Sequence, residues 1–219
     1  MLRSAAVRRI NRDLGYRPDG WAREGDVISC LQEAQKNFEK GKTLPRFLLA
    51  EDQPLTLLVN THSVAYPTGF LRISDDNPLH FFPTGSTVPT YLQQKFYSDA
   101  VIANITASST EARAPSVYVL RKGSIDFITT ANQQYNLLMD YYKAADLLTS
   151  DIENQWLADE GAGAEWLIGE AGYRMAVSLK DQSAMQSFDA MRTSGRAACF
   201  GELVTQETEG GPLQMGANN

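Results

Sequence analysis

The sequence lacks most of the features that mark a secreted domain, a metalloprotein or a membrane protein. Among 219 residues it has only two cysteines, Cys30 and Cys199, and two histidines, His62 and His80. Two cysteines cannot build a disulfide framework, and no Cys or His spacing matches a metal motif. No apolar run approaches the roughly 18 residues that a spanning helix needs. The mean hydropathy of −0.31 predicts a protein that stays in water.

Catalytic signatures are missing as well. The sequence contains no GxSxG nucleophile motif, no P-loop and no Rossmann glycine pattern. The acid pairs Asp75–Asp76 and Asp159–Glu160 lie in turn-like sequence, where carboxylates serve solvation and capping. We therefore expect no enzymatic activity, no cofactor and no metal site. A small α+β enzyme with a dispersed catalytic site stays an alternative.

Basic residues are fewer than acidic residues. The 20 Lys and Arg are outnumbered by 26 Asp and Glu, which gives a net charge of −6 and a pI near 5.0. Phosphate binding requires a basic surface that releases counterions, so a general affinity for nucleic acid is not expected. A local basic patch stays compatible with this composition. The basic residues that do cluster lie at the start of the chain, at Arg3, Arg8, Arg9 and Arg12.

Helical periodicity is present near the start of the chain. In GDVISCLQEAQKNFEKG the apolar residues recur at spacings of four, three and four, which predicts a helix over about residues 26–40. Asp26 is placed to cap its start and Gly41 its end. The preceding VRRINRDLG predicts a short helix whose apolar residues are Val7, Ile10 and Leu14.

A second helical region lies near the C-terminus. Ser150 followed by Glu153 has the spacing of a capping box, which predicts a helix start at about 151. The GAG at 161–163 is expected to break this helix, and an apolar stripe then predicts another from Ala164 to Leu179. Ser183 with Gln186 forms a second capping-box spacing ahead of a last helix.

The middle of the chain reads as short strands and turns. LTLLVN at 55–60, GFLRI at 69–73 and LHFF at 79–82 are apolar runs separated by turn residues. SVYVLR and SIDFIT flank Lys122–Gly123 as a β-hairpin, and QQYNLLMDYY alternates as a half-buried strand does. One helix is predicted here: Pro89 can open it, since Leu92, Phe96 and Ala100 are spaced four apart.

This order of elements predicts an α+β fold. A helical bundle is built from residues 1–50 and 145–207, which come from both ends of the chain. A β-rich insertion occupies 51–144. Residues 208–219 are small, polar and aperiodic, which predicts an extended, flexible C-terminal tail.

One stretch resembles the head-to-tail adaptor, or connector, proteins of tailed bacteriophages. In that family a strand ending in a double tyrosine precedes an L-S-x-D segment, an N-W-L helix, and a helix that ends in Leu followed by Lys/Asp. The corresponding positions here are Tyr141–Tyr142, Leu148 to Asp151, Asn154 to Leu157, and Leu179 to Asp181. EAQKNFE, YPTGFLRI and PSVYVLRKGSIDFI follow the family pattern upstream, so the resemblance covers about residues 25–205. It departs where Gln155 separates Asn154 from Trp156 and where glycines at 161 and 163 replace a more apolar approach.

The resemblance implies a structural virion protein. Such adaptors form a ring, usually dodecameric, that joins the portal vertex to the tail and continues the DNA channel. The implied partners are copies of the same chain, the portal protein, tail nozzle or tail-tube proteins, and duplex DNA that passes without sequence-specific binding. The implied location is the head–tail interface of the virion, after assembly in the host cytoplasm, with no membrane contact. A nozzle, stopper or other tail-completion protein stays an alternative.

Two sets of residues are candidates for function on this interpretation. The tail is the expected portal-docking arm, with Leu213 and Met215 as apolar anchors and the glycines allowing the backbone to follow a groove. The tail set comprises Gly210, Gly211, Pro212, Leu213, Met215 and Gly216. A second set of acidic residues is expected to face the channel, where like charge lets DNA slide. This set comprises Asp151, Glu153, Asp159, Glu160 and Glu165. An idle terminus and a solvated helix surface are the respective alternatives.

Overall fold

The computed structural model describes residues 1–15, 23–74, 78–96, 112–151, 154–158 and 162–209, with side chains as far as residue 200. The chain divides into two compact units. The helical unit comprises Met1–Leu48 with Ala145–Asn219, and the sheet unit comprises Leu49–Ala144. Helices and sheets are both present, so the predicted mixed α+β class is confirmed. No helix in the described ranges is long and apolar enough to cross a bilayer.

The helical unit contains five α-helices among the described residues. They are α1 (Arg3–Asp13), α2 (Glu24–Glu39), α3 (Gln155–Ala158), α4 (Ala162–Ser178) and α5 (Gln182–Glu209), with a 3-10 turn at Arg46–Leu48. The periodicity that predicts α1 and α2 also predicts their buried faces. Val7, Ile10 and Leu14 are buried along α1, as are Val27 and Leu31 along α2. Both helix predictions are confirmed.

The three predicted helix starts are wrong in detail. Arg23 occupies the cap position of α2 and Asp26 lies inside its first turn. The chain still bends at Ser150, and the helix begins at Gln155, where the Asn154 side chain accepts a hydrogen bond from the Trp156 backbone N–H at 2.8 Å. Asp181, rather than Ser183, caps α5 by accepting from the Ala184 N–H at 3.1 Å. Asp26 and Ser183 therefore lie inside their helices, whereas Ser150 lies ahead of its helix.

Glycines allow α4 and α5 to approach closely. Gly163 does not break a helix, because Ala162 and Gly163 already belong to α4. A Cβ added to Gly169 would lie 2.5 Å from the backbone nitrogen of Arg192, and one added to Gly172 would lie 2.2 Å from the Phe188 ring. On α5, a Cβ on Gly195 would lie 2.4 Å from the backbone nitrogen of Trp166. Side chains are therefore excluded where the two helices touch.

The sheet unit contains nine strands among the described residues. They are β1 (Leu49–Leu57), β2 (Ser63–Ala65), β3 (Phe70–Ile73), β4 (Leu79–Phe81), β5 (Thr90–Tyr91), β6 (Gln93–Lys95), β7 (Val117–Arg121), β8 (Ser124–Phe127) and β9 (Tyr135–Lys143). One sheet has the order β1-β9-β4-β5, with β3 also pairing with β9. The other has the order β2-β8-β7-β6. Apolar side chains from both sheets, including Leu57, Leu79 and Phe127, form one buried cluster.

The helix predicted after Pro89 is wrong. Thr90–Tyr91 pairs antiparallel with β4, and Gln93–Lys95 pairs parallel with β7. Leu92 lies between the two short strands and is 3% exposed in the core cluster. The spacing of Leu92 and Phe96 therefore does not define a helical face, since Phe96 is exposed. Ala100 lies outside the described residues.

The hairpin and the alternating strand are both confirmed. Strands β7 and β8 pair antiparallel from Tyr118 with Phe127 to Arg121 with Ser124, around the Lys122–Gly123 turn. Gly123 has a φ of +93°, a backbone conformation that favours glycine over any residue with a Cβ. Strand β9 buries Tyr135, Leu137, Met139 and Tyr141 on one face, as the alternation predicts.

Candidate interaction surfaces

The described residues contain no group of three or more His, Cys, Asp or Glu side chains that could hold a metal ion. His62 is exposed, whereas His80 is buried in the sheet unit. The His80 Nε2 atom lies 3.5 Å from the Asp52 carboxylate. Cys30 lies in α2 and Cys199 in α5, and the two do not form a disulfide bond.

A surface depression in the helical unit has a volume of about 460 Å³. Asp13 and Asp181 are its acidic lining residues, together with Ser183 and Ser187. Both acids have structural partners, because Asp13 accepts from the Arg12 guanidinium at 3.0 Å and Asp181 caps α5. The depression lies between the C-terminal end of α1 and the N-terminal end of α5, and its two acids have structural roles there.

The segment that enters the helical unit is anchored by one carboxylate. The Glu39 Oε1 atom accepts hydrogen bonds from the Trp156 indole N–H at 2.9 Å, the Gln35 amide at 3.0 Å and the Ala145 backbone N–H at 3.2 Å. Trp156 is fully buried and makes an edge contact with Trp166 at 5.7 Å between ring centroids. Trp156 therefore packs in the core of the helical unit with both its ring and its polar N–H satisfied.

Two of the five predicted channel-facing acids lie in described ranges, and both engage α1. The Asp151 carboxylate accepts from the Ser4 backbone N–H at 2.8 Å. This bond, the Ser4 hydroxyl and the nearby arginines lower the pKa of Asp151 below its usual value. Glu165 lies 3.8 Å from the Arg9 guanidinium, with 41% of its side chain exposed. Part of the negative charge of this set is therefore neutralised within the chain. Glu153, Asp159 and Glu160 lie outside the described residues.

The predicted portal-docking tail also lies outside the described residues. Helix α5 runs to Glu209, two residues into the segment that the sequence assigns to the tail. The set that follows it comprises Gly210, Gly211, Pro212, Leu213, Met215 and Gly216.

A buried ionic network lies in the described part of the sheet unit. The Asp126 carboxylate accepts from the Arg121 guanidinium at 2.9 Å and from the hydroxyls of Ser63 at 2.8 Å and Ser124 at 2.9 Å. Burial raises the pKa of Asp126, but the hydrogen bonds from these three residues outweigh it and hold the pKa below its usual value. The network joins β2, β8 and β7 and supports the sheet that carries the hairpin turn.

Large apolar side chains are exposed on the sheet unit, and the sequence interpretation missed them. Phe96 is 90% exposed and Val88 is 69% exposed, while Phe82 and Tyr91 are about half exposed. Leu58 and Val59 are exposed as well, and of these six side chains Tyr91 and Phe96 lie within the helix predicted from Pro89, while Val88 directly precedes it. Exposed apolar side chains close together mark contact surfaces. The signal available in the sequence was the Tyr–Leu–Gln alternation at 91–93, which suits a strand with Leu92 inside.

The described residues form a helical unit and a sheet unit, and the sheet unit exposes apolar rings of the kind found at contact surfaces. The family model described as SU10 adaptor protein matches residues 2–216. The chain therefore belongs to the SU10 adaptor protein family, and the resemblance to phage head-to-tail adaptors is confirmed. Family membership supports a structural role rather than an enzymatic one, and a place in the virion. A comparison with curated proteins finds no match.

Proposed function

We propose that the protein is a head-to-tail adaptor that forms a ring, joins the portal vertex to the tail and continues the DNA channel. The observation that carries this proposal is the family match over residues 2–216. The exposed rings of the sheet unit support it, because a protein that works by assembly needs apolar contact area. In a ring of more than two copies each copy presents two different surfaces to its two neighbours, and such a head-to-tail contact closes when its rotation divides a full turn. A ring of twelve is the expected stoichiometry.

The test is assembly on the portal. The purified full chain is mixed with isolated portal rings and followed by mass photometry and negative-stain electron microscopy. We expect a symmetric layer of copies on one face of the portal. A chain that remains monomeric and does not associate with portals contradicts the proposal. A layer that forms only on isolated tail nozzles would assign the chain to the tail-completion proteins instead.

In this proposal the C-terminal tail, residues 208–219, is the portal-docking arm. Each arm pays an ordering entropy on binding, but the ring raises the effective concentration of every further arm once one has docked. Replacing both Leu213 and Met215 with Asp should remove the apolar anchors and weaken portal association at least tenfold. Replacing Asn218 and Asn219 with Ala is the matched control. Equal portal binding by both double variants would contradict the docking role.

The acidic residues of the C-terminal half are proposed to face the DNA channel. Asp151, Glu153, Asp159, Glu160 and Glu165 would repel phosphates and keep DNA mobile. Asp151 contacts Ser4 and Glu165 contacts Arg9, and these contacts reduce the electrostatic repulsion that the two carboxylates can exert on DNA. A structure of the assembled ring tests this part directly, since a basic or neutral channel wall would overturn it without affecting the adaptor function.

A further inference from the structure

The two sheets of the sheet unit end on one continuous stretch of chain. Strand β5 is the last strand of the β1-β9-β4-β5 sheet, and β6 is the last strand of the β2-β8-β7-β6 sheet. Leu92 separates the two strands, and its side chain is buried in the core. We name the stretch Thr90–Lys95 the open edge, because no described strand pairs with its outer side. Every residue of the open edge except Leu92 is exposed.

Backbone hydrogen bonds show which groups of the open edge point outward. The Leu92 N–H donates to a β4 carbonyl at 2.8 Å, and the Gln93 N–H donates to the Ser116 carbonyl beside β7 at 2.9 Å. Because backbone groups alternate in direction along a strand, the N–H groups of Tyr91 and Gln94 point away from the two sheets. A strand with outward N–H and C=O groups is a template for one more strand.

The opposite edge of the first sheet resists such pairing. Strand β1 has a register shift where Asp52 adopts a φ of +51°, and Pro54 follows two residues later. Glu51 and Asp52 are also exposed there. Bulges, prolines and charged side chains keep an edge strand from adding a partner. From Thr90 to Gln94, in contrast, the open edge has neither a proline nor a charged side chain.

The surroundings of the open edge are uncharged and partly aromatic. Residues 81–94, FFPTGSTVPTYLQQ, contain no charged side chain. Tyr91 is 54% exposed and Phe82 is 49% exposed, and their ring centroids lie 5.3 Å and 5.8 Å from that of His80. A strand added beside Tyr91 therefore buries aromatic surface without removing a charge of this stretch from water.

The C-terminal tail has the composition that this edge requires. Residues 210–219, GGPLQMGANN, contain no charged side chain either. Leu213 and Met215 are two residues apart, and residues two apart lie on the same face of an extended strand. Gln214 between them takes the other face of such a strand. When this segment pairs with the edge, both apolar side chains can therefore lie on the side of the sheet that exposes Tyr91.

We propose that the tail of one copy adds as a strand to the open edge of a neighbouring copy, with Leu213 and Met215 beside the Tyr91 ring. This inference rests on the proposed ring, which holds neighbouring tails at a high effective concentration. Backbone hydrogen bonds to Tyr91 and Gln94 provide affinity, and the alternating apolar side chains provide specificity, as in other contacts made by strand addition.

The same contact regulates when the tail reaches the portal. Leu213 and Met215 are also the proposed portal anchors, so a tail bound to an open edge does not hold a portal at the same time. A ring without a portal keeps these side chains against its own sheets and out of water. Binding of a portal then releases the open edges.

Amide hydrogen exchange in full-length wild-type rings tests the contact. An occupied edge protects the outward N–H groups of Tyr91 and Gln94, whereas an unoccupied edge leaves them in water. The amides of Leu92 and Gln93 are internal controls for folding, because their hydrogen bonds lie within the sheet unit. Residue-level mass spectrometry measures all four amides. We expect slow exchange at all four in the wild type.

Single substitutions in the tail test whether the contact is a strand. Leu213→Asp and Met215→Asp should each speed the exchange of the Tyr91 and Gln94 amides at least tenfold. Gln214→Asp is the matched control, because it adds the same charge on the other face and should leave both amides slow. Equal effects of all three substitutions, or no effect of the first two, overturn the proposal. Portal assembly of the wild type, measured separately, still decides the adaptor function.

A mixed assembly tests whether the tail comes from a neighbouring copy. Isotope-labelled Leu213→Asp chains are mixed before assembly with an excess of unlabelled wild-type chains. Tails of the unlabelled copies should restore slow exchange at Tyr91 in the labelled copies. If Tyr91 stays fast in the labelled copies and slow in the unlabelled ones, tails do not cross between copies and the proposal is wrong.

Added portal rings test the competition for the tail. They should speed exchange at Tyr91 as tails move to the portal, and unchanged slow exchange with portals bound would overturn the regulatory role. If Tyr91 is fast in wild-type rings and becomes slow only on portals or isolated tail nozzles, the open edge binds those proteins instead and the proposal is wrong. A wild-type chain that forms no ring, alone or on portals, overturns the proposal together with the adaptor function.

Discussion

The close approach of α4 and α5 predicts that Gly195→Ala destabilises the protein, although alanine is the better helix former. A Cβ at Gly195 would lie 2.4 Å from the backbone nitrogen of Trp166 and 2.9 Å from the carbonyl carbon of Glu165. Carbon atoms in good contact are about 3.5 Å apart or more, so the helices must separate by about 1 Å. Because the obstructing atoms belong to the backbone, no rotamer change relieves the clash.

The magnitude follows from two opposing effects. Overpacking of this kind costs about 1–3 kcal/mol, while replacing Gly by Ala inside a helix contributes up to about 1 kcal/mol. We expect a net loss of about 1–2 kcal/mol. For a chain of this size each kcal/mol moves the melting temperature by about 2–4 °C, so the expected drop is roughly 2–8 °C.

Gly25→Ala is the matched control. Gly25 is an exposed helical glycine of α2, and a Cβ there would have no atom within 4 Å. This variant keeps the propensity gain without the clash and should be as stable as the wild type or more stable, by up to about 1 kcal/mol. Thermal and urea unfolding followed at 222 nm compare the three proteins. A Gly195→Ala protein as stable as the Gly25→Ala protein would refute the packing argument.

The sheet unit carries two further predictions. Asp126→Asn should cost about 1–3 kcal/mol, because the Arg121 ion pair is lost from a buried network. The pKa of Asp126 is lowered by folding, so its contribution is complete above the ordinary carboxyl pKa of about 3.9 and is lost as pH falls through the lowered folded value. Unfolding at pH 7 and pH 3 should therefore show a smaller acid loss in Asp126→Asn; an equal loss contradicts this assignment. Leu92→Ala should cost about 2–5 kcal/mol by leaving a core cavity, whereas Phe96→Ala should stay within about 0.5 kcal/mol. Comparable losses in both would show that residues 90–96 do not form the edge strands described.

Several elements could be predicted from the sequence because their patterns are local. The spacing of Val27 and Leu31 in α2, and the alternation from Tyr135 to Tyr141 in β9, each report which side chains face a core. The Lys122–Gly123 turn is equally local, since a positive φ is required at one position. Family motifs at Tyr141–Tyr142 and Asn154 to Leu157 led to the adaptor class without any contact being known.

The wrong predictions share one cause. Two local patterns are possible at the same residues, and only tertiary packing decides which structure forms. Leu92 and Phe96 are four apart, as in a helix, but pairing of their neighbours with β4 and β7 gives a strand in which Leu92 alone is buried. Ser183 has a valid capping spacing, yet Asp181 caps the helix because the chain enters α5 one residue after it.

By itself the sequence determined the helical and strand periods, the acidic balance and the adaptor family, because each depends on residue order or composition alone. Only the tertiary structure decided which charges are exposed together. Lys122 and Lys143 come from separate positions in the sequence, and Tyr66 and Phe70 connect the turn that carries Lys122 with the strand end that carries Lys143. The sequence determines the number and sign of the charges, but strand pairing determines which of them share a surface.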